Sequence, residues 1–431
     1  MYDRRVKLDL HSGRRAAFGA RAAVARVPVH YWVFVLLLVF TVAMPKAGIG
    51  INGTPLTFGY MLLAAFAPVA LVGLFRRPDF SAVPTMNLLL GYLPISLFVT
   101  YKLLSYGTIL SLIVLTTILA VLPLIILLAY APYLEDFTED QIGAPIKWCI
   151  RIVVIWGLMN FFLYALTKNF IEINYLTINQ IDLGAIYSKN NRRGVLMKLV
   201  STYNNGNLLG SCLIMMAPVY LFFEKSRAFI AAFCLAIVLT LSRTAWFGLA
   251  AVFSLLILFG RIRLTRPFIW LGVAAAVMVV IIALPYMGWT SDRVVDVNLG
   301  GRLVYWSDLS LSLFGARDVR IYEILYASFL QSFGVVGFAL ALTALGFPLV
   351  YGLINLKRLS PLRVSALLGV CAYLLVAFFD AAFIYPPTIA QFLFLSALLY
   401  RRGYRGDRVR QAPVPTVPRR GMTLAEAGRR I

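Results

Sequence analysis

Between Met287 and Gly337 the chain reads MGWTSDRVVDVNLGGRLVYWSDLSLSLFGARDVRIYEILYASFLQSFGVVG. Arg293, Arg302, Arg317 and Arg320 lie here among Asp292, Asp296, Asp308, Asp318 and Glu323. Arginine's planar fork of donors suits phosphate oxygens, often two at a time. Fixed cations of this kind balance the charge on a diphosphate as a bond to it breaks. A carboxylate at the edge of the group, Glu323, can take the proton of an attacking hydroxyl. A second polar stretch, Lys168 to Asn207, adds Lys189, Arg192, Arg193 and Lys198, and Arg243 stands by itself between two apolar runs. Two readings follow from the residues: recognition and cleavage of a diphosphate, or Arg–Asp pairs that merely solvate a cap. The only two histidines, His11 and His30, fall at the N-terminus, so imidazole takes no part in chemistry at the central stretch.

The elements that must position these residues are membrane spans. Of 431 residues, 61% are hydrophobic and 13% charged, whereas soluble domains hold about 45–50% apolar and about 25% charged residues. Apolar runs near the length needed to cross a hydrocarbon core of about 30 Å follow one another along the chain. They occupy Tyr31–Met44, Pro55–Phe75, Val83–Leu104, Gly107–Ala131, Ile146–Leu166, Leu208–Phe223, Ala228–Leu241, Thr244–Phe259, Phe268–Tyr286, Leu325–Ile354, Leu367–Phe379 and Thr388–Tyr400. The pattern predicts an all-α polytopic membrane protein of about twelve spans, with no separate soluble domain. Residues 1–28 form a basic cytoplasmic tail, 29–400 a single transmembrane domain, and 401–431 a disordered basic tail.

The net charge of +22 does not indicate nucleic acid, because most of it lies in the tails and in alternate joints, as the positive-inside rule requires. Basic tails of this kind also touch anionic membrane lipids. Joints at Arg76-Arg77, Lys225/Arg227, Arg261/Arg263/Arg266 and Lys357/Arg358/Arg363 mark the cytoplasmic side. The joint from Pro132 to Lys147 is acidic instead, with Glu135, Asp136, Glu139 and Asp140. Both termini are then cytoplasmic, and the long loops, 168–207 and 287–324, share the outer face with Arg243. Cys149, Cys212, Cys234 and Cys371 lie in or beside apolar runs without metal-site or disulfide spacing, and read as buried apolar residues.

Three pieces of sequence, in order, carry a resemblance: TYNNGNLLG at Thr202–Gly210, LTLSRTAWFGLA at Leu239–Ala250, and the central loop with its GGRLVYWSD, LFGAR and YEILYASFLQSFGVVGF segments. Together they resemble the O-antigen ligase and polymerase superfamily of bacterial surface-polysaccharide assembly, over roughly the second half of the chain. The resemblance implies a GT-C-type architecture in the bacterial inner membrane. It implies a metal-independent, inverting glycosyltransferase without cofactor, joining undecaprenyl-diphosphate-linked oligosaccharide donor and acceptor at the periplasmic face. A flippase and a chain-length regulator of the same pathway are the implied protein partners.

Residue by residue, the family's arginine after a short Ser-Arg segment corresponds to Arg243, and its loop arginine before a tryptophan to Arg302, with Trp306 following. The ligase branch has a histidine at the opening of a span ending in Gly-x-x-Gly. Counting back from Gly334 and Gly337 puts Glu323 there, as expected of the polymerase branch. Glu323 is thus the implied base, and Arg243 and Arg302 the implied diphosphate ligands. Arg192, Arg193, Arg317 and Arg320 are assigned to acceptor and leaving group, and Tyr322 and Trp306 to sugar contact. Arg193 and Arg302 also precede Gly206 and Gly315 by equal spacing. The alternatives are a ligase passing finished glycan to lipid A core or protein, a lipid-linked sugar flippase or transporter, and a non-catalytic scaffold.

Overall fold

The computed structural model describes residues 29–51, 54–75, 82–179, 185–187, 191–193, 196–260, 304–317, 319, 324–380, 383 and 385–403, with 278, 282 and 285 as isolated helical positions. Helices dominate. They are α1 (Val29–Ala43), α2 (Phe58–Phe75), α3 (Ala82–Tyr106), α4 (Ile109–Asp136), α5 (Glu139–Thr167), α6 (Gly206–Phe223), α7 (Arg227–Leu239), α8 (Arg243–Leu258), the short α9 (Val304–Ser307), α10 (Leu325–Ile354), α11 (Pro361–Val376) and α12 (Pro386–Tyr400). Among the described residues, α3, α4, α5, α6 and α10 are long and apolar enough to cross a membrane, and six shorter apolar helices accompany them. The chain is an all-α multi-pass membrane protein. Of the twelve expected spans, Phe268–Tyr286 lies outside the described residues, apart from the isolated helical positions.

Two small hairpins interrupt the helices. The first pairs β1 (Gly48–Ile51) with β2 (Thr54–Thr57), and the second pairs β3 (Arg192–Arg193) with β4 (Leu196–Met197), both antiparallel.

Contacts between distant joints divide the bundle into two ends. At one, which we call the joint end, Arg401 is buried and donates through Nε to Leu134 O at 2.8 Å and through Nη2 to Phe137 O. Arg363 joins Leu399 O at 2.7 Å to the Tyr351 hydroxyl at 3.0 Å. The Asn87 amide donates to the Tyr400 hydroxyl at 2.9 Å. Arg151 grips both oxygens of buried Glu224, at 2.7 and 2.9 Å, and its guanidinium lies 3.9 Å from the Phe229 ring. Burial pushes the Glu224 carboxyl up, but hydrogen bonds from Arg151 and the Ser226 backbone outweigh it and hold the group below its ordinary range.

The other end collects the loops. The β1 Gly48 N–H donates to Tyr175 O at 2.9 Å, and Leu199 N–H to Leu239 O at 2.8 Å. Thr202 and Tyr203 hydroxyls donate to Ala43 O at 2.7 Å and Val42 O at 2.8 Å, covering carbonyls left open at the end of α1. The Gln391 amide serves Thr41 O and the Tyr203 hydroxyl in the same way, at 2.9 and 3.0 Å.

Several boundaries differ from the apolar runs for local reasons. Helix α5 starts at Glu139 instead of Ile146, because Thr138 and Gln141 close a reciprocal capping box. The acidic joint is therefore a turn of 3-10 helix followed by the first turn of α5, where Glu139 and Asp140 face the positive end of the helix. Helix α11 starts at Pro361 behind the Ser360 cap, which takes Arg363 out of the joint and into the first helical turn.

Candidate functional site

The two shorter motifs meet at the loop end. Asn205 caps α6, its side-chain oxygen accepting from Asn207 N–H at 2.8 Å and Leu208 N–H at 3.3 Å. A Cβ on Gly206 would fall 2.8 Å from Lys198 Cβ and 3.1 Å from Thr240 O, and one on Gly210 would fall 2.7 Å from Ala245 Cβ. The α6 start therefore nests against the α7–α8 turn only because both positions lack a side chain. That turn is tight: Thr240 and Ser242 are buried, Leu241 has φ 50°, and the Trp246 indole donates to Val238 O at 2.9 Å. Ser242 caps α8, with its hydroxyl accepting from Ala245 N–H at 3.4 Å, and Arg243 is the first helical residue, half-buried.

Arg192 is held nearby. Its strand partner is Met197, Lys198 N–H donates to Asn191 O at 2.8 Å, and Leu199 then bonds Leu239. Arg192 is exposed, whereas Lys198, a cation of the same stretch, is buried and donates to Asn207 Oδ1 at 2.9 Å. Its role is to fasten the loop to α6. Glu172, in the same loop, is half-buried with Oε1 lacking a hydrogen-bond partner, and burial raises its carboxyl above the ordinary range.

The central loop does not lie flat over the bundle. Helix α10 is broken at Gly334, whose φ of 68° and ψ of −168° belong to no helix. Gly334 and Gly337 therefore do not close a span. Residues 335–354 alone, at 1.5 Å per residue, reach roughly 30 Å and suffice to cross. The preceding segment, from Leu325 to Phe333, is a separate buried piece. Its Tyr326 hydroxyl donates to Leu374 O at 2.8 Å, and Phe329 meets Phe383 at 5.5 Å between ring centroids.

Residues from Ser310 to Ala316 fill the break. Val335 and Val336 N–H donate to Ser312 O at 3.0 Å and Leu313 O at 3.1 Å, and Ala316 N–H donates to Gln331 O at 2.9 Å. Gly315, with φ 78°, is so close that a Cβ would fall 2.5 Å from Ser332 O. Lys102, buried near the end of α3, donates to Phe314 O and, at 2.5 Å, to Ser332 O. One ammonium thus joins three elements. The signal was present in the sequence as a lysine near the end of an apolar run, since an ionisable residue within a span is a functional or structural candidate by default.

The structure sets exposed Arg317 directly after this docked segment and half-buried Trp306 against the core. Arg193 lies in the hairpin beside Arg192. Arg302, Arg320, Tyr322 and Glu323 lie outside the described residues. The turn after α11 is the common neighbour of the second and third sequence motifs and of Ser211, which directly follows the first. Ser211 of α6 donates to Asp380 O at 3.3 Å, Phe247 of α8 meets Phe379 at 5.2 Å, and Tyr326 of α10 meets Phe378 at 4.5 Å. The chain matches no protein-family model, and no curated protein or solved structure matches it.

Proposed function

We propose that the protein is an inner-membrane glycosyltransferase that polymerises undecaprenyl-diphosphate-linked oligosaccharide units at the periplasmic face. The growing chain is the donor, and the incoming lipid-linked unit supplies the attacking hydroxyl. Glu323 takes the hydroxyl proton, the new glycosidic bond forms at the donor's anomeric carbon, and the carbon–oxygen bond to the diphosphate breaks. Arg243 and Arg302 carry the charge of the departing diphosphate, and Arg192, Arg193, Arg317 and Arg320 attract the second lipid-linked substrate. Tyr322 and Trp306 stack on sugar rings.

The observation that carries this reading is that the second and third motifs, and Ser211 directly after the first, meet around the Ala377–Asp380 turn at one end of the bundle. A packing role alone accounts for Thr202, Tyr203 and Lys198, which are consumed by internal hydrogen bonds. It gives no reason for Arg192, Arg243 and Arg317 to lie at the same end.

The interrupted helix α10 and buried Lys102 raise the transporter reading, because broken spans commonly offer half-helix ends to a cargo. Here the freed groups are taken within the protein: Val335 and Val336 N–H donate to the loop's Ser312 and Leu313 oxygens, the Gln331 oxygen accepts from the loop's Ala316 N–H, and the Ser332 oxygen accepts from the Lys102 ammonium. That favours a loop anchored for catalysis over a cargo site at the break.

The test is complementation in a strain lacking its own polymerase, with surface glycan resolved by length on a gel. Wild type restores long polymer, while Arg243→Ala and Glu323→Gln leave single repeat units at unchanged protein level. Full polymer from both variants refutes the assignment of these residues. Wild type that alters only attachment of preformed polymer identifies a ligase.

A further inference from the structure

Within Thr202–Asn207, one polar side chain differs from all the others. Thr202 and Tyr203 hydroxyls cap the end of α1, Asn205 caps α6, and Asn207 accepts from Lys198 at 2.9 Å. Asn204 is 7% exposed, yet neither its amide oxygen nor its amide nitrogen has a hydrogen-bond partner. Leaving both ends of a buried carboxamide unmatched is costly and rare, and such a group in a native fold calls for a specific explanation.

The backbone around it is fixed. Asn204 has φ 58°, a left-handed conformation that asparagine tolerates better than most residues. Its own carbonyl accepts from Asn191 Nδ2 at 2.8 Å, and the same Asn191 nitrogen reaches Ile186 O at 3.1 Å. Asn191 directly precedes Arg192 in the chain, and Gly206, two residues after Asn204, packs on Thr240, three residues before Arg243. The orphaned amide is therefore held between the turn that precedes Arg243, a proposed diphosphate ligand, and the strand that carries Arg192, proposed to attract the second substrate. A strained residue fixed on every side and left unpaired is the pattern of a group kept ready for a ligand.

We propose that Asn204 is a glycan-binding residue, its carboxamide pairing with a sugar group that both donates and accepts a hydrogen bond, such as a ring hydroxyl or an acetamido group. That the ligand is a sugar rests on the polymerase reading; that the amide awaits a partner rests on its burial and on the satisfied state of its neighbours. Asn204 is then a specificity-determining residue, reading the repeat unit next to the diphosphate site.

Asn204→Gly separates this role from a structural one, because glycine accepts the left-handed backbone and removes the unpaired amide. The thermal midpoint of purified wild type and Asn204→Gly is measured in detergent. Each is measured with and without the oligosaccharide freed by mild acid from the host's lipid-linked repeat units. The proposal expects Asn204→Gly to melt higher than wild type without glycan, and expects the glycan to raise the midpoint of wild type only. A variant that melts lower than wild type, or that responds equally to the glycan, overturns it. If wild type responds to the glycan but builds no polymer in cells, the reaction is wrong while the binding residue stands.

Discussion

Lys102 and Glu224 are buried charges with different partners, and each gives a separate prediction. Lys102 donates to two backbone carbonyls, of Phe314 and Ser332. Lys102→Met keeps the length of the side chain and leaves both carbonyls facing an apolar group, at a cost of about 1–3 kcal/mol. A lowered thermal midpoint together with reduced polymerisation is expected; an unchanged midpoint would show that the lysine holds nothing. Glu224 has its carboxyl held below the ordinary range by Arg151. A carboxyl depressed in the folded state stabilises the fold above its unfolded pKa, and this contribution fades as pH falls through the folded value. Wild type is expected to lose thermal stability on acidification over that window, and Glu224→Gln to lack this part of the pH dependence. Neither partner set was legible in the sequence. Phe314 and Ser332 lie 212 and 230 positions from Lys102, so a lysine near the end of an apolar run disclosed its presence but not its purpose.

Helices were the most legible level, because an apolar run reports burial directly. Two starts were displaced by caps that the sequence does contain: Thr138 with Gln141, and Ser360 ahead of Pro361. Those signals were outweighed by hydropathy. The break in α10 is a different matter. Glycine is frequent in membrane helices, so Gly334 by itself predicts neither a straight helix nor a gap. The gap exists because the loop supplies Ser312 and Leu313 oxygens to Val335 and Val336. Gly334→Ala tests this joint, since a Cβ there would fall 2.3 Å from Gly315 N and 2.5 Å from Leu313 O, both backbone atoms. The variant is expected to release the loop and to speed tryptic cleavage at the already exposed Arg317. Cleavage at the wild-type rate would mean that the loop is anchored elsewhere.

Across the whole molecule, the two ends have different tasks. The joint end is bound by internally matched charges, Arg151 with Glu224 and Arg401 with the carbonyls of Leu134 and Phe137. The loop end carries exposed Arg192 and Arg317 and half-buried Arg243, and there Ser211, Phe247 and Tyr326 pack on one turn. Arginines standing at the loop end of an apolar bundle suit a substrate whose lipid stays in the bilayer while its diphosphate and sugars stand at the surface. The central claim, polymerisation of such a substrate, is tested most directly with purified protein in detergent. Lipid-linked repeat units are added alone, and the products are separated by size. The account predicts a ladder of glycans lengthening by one repeat at a time, formed by wild type and lost in Arg243→Ala. Recovery of unchanged single repeats from folded wild type would contradict it.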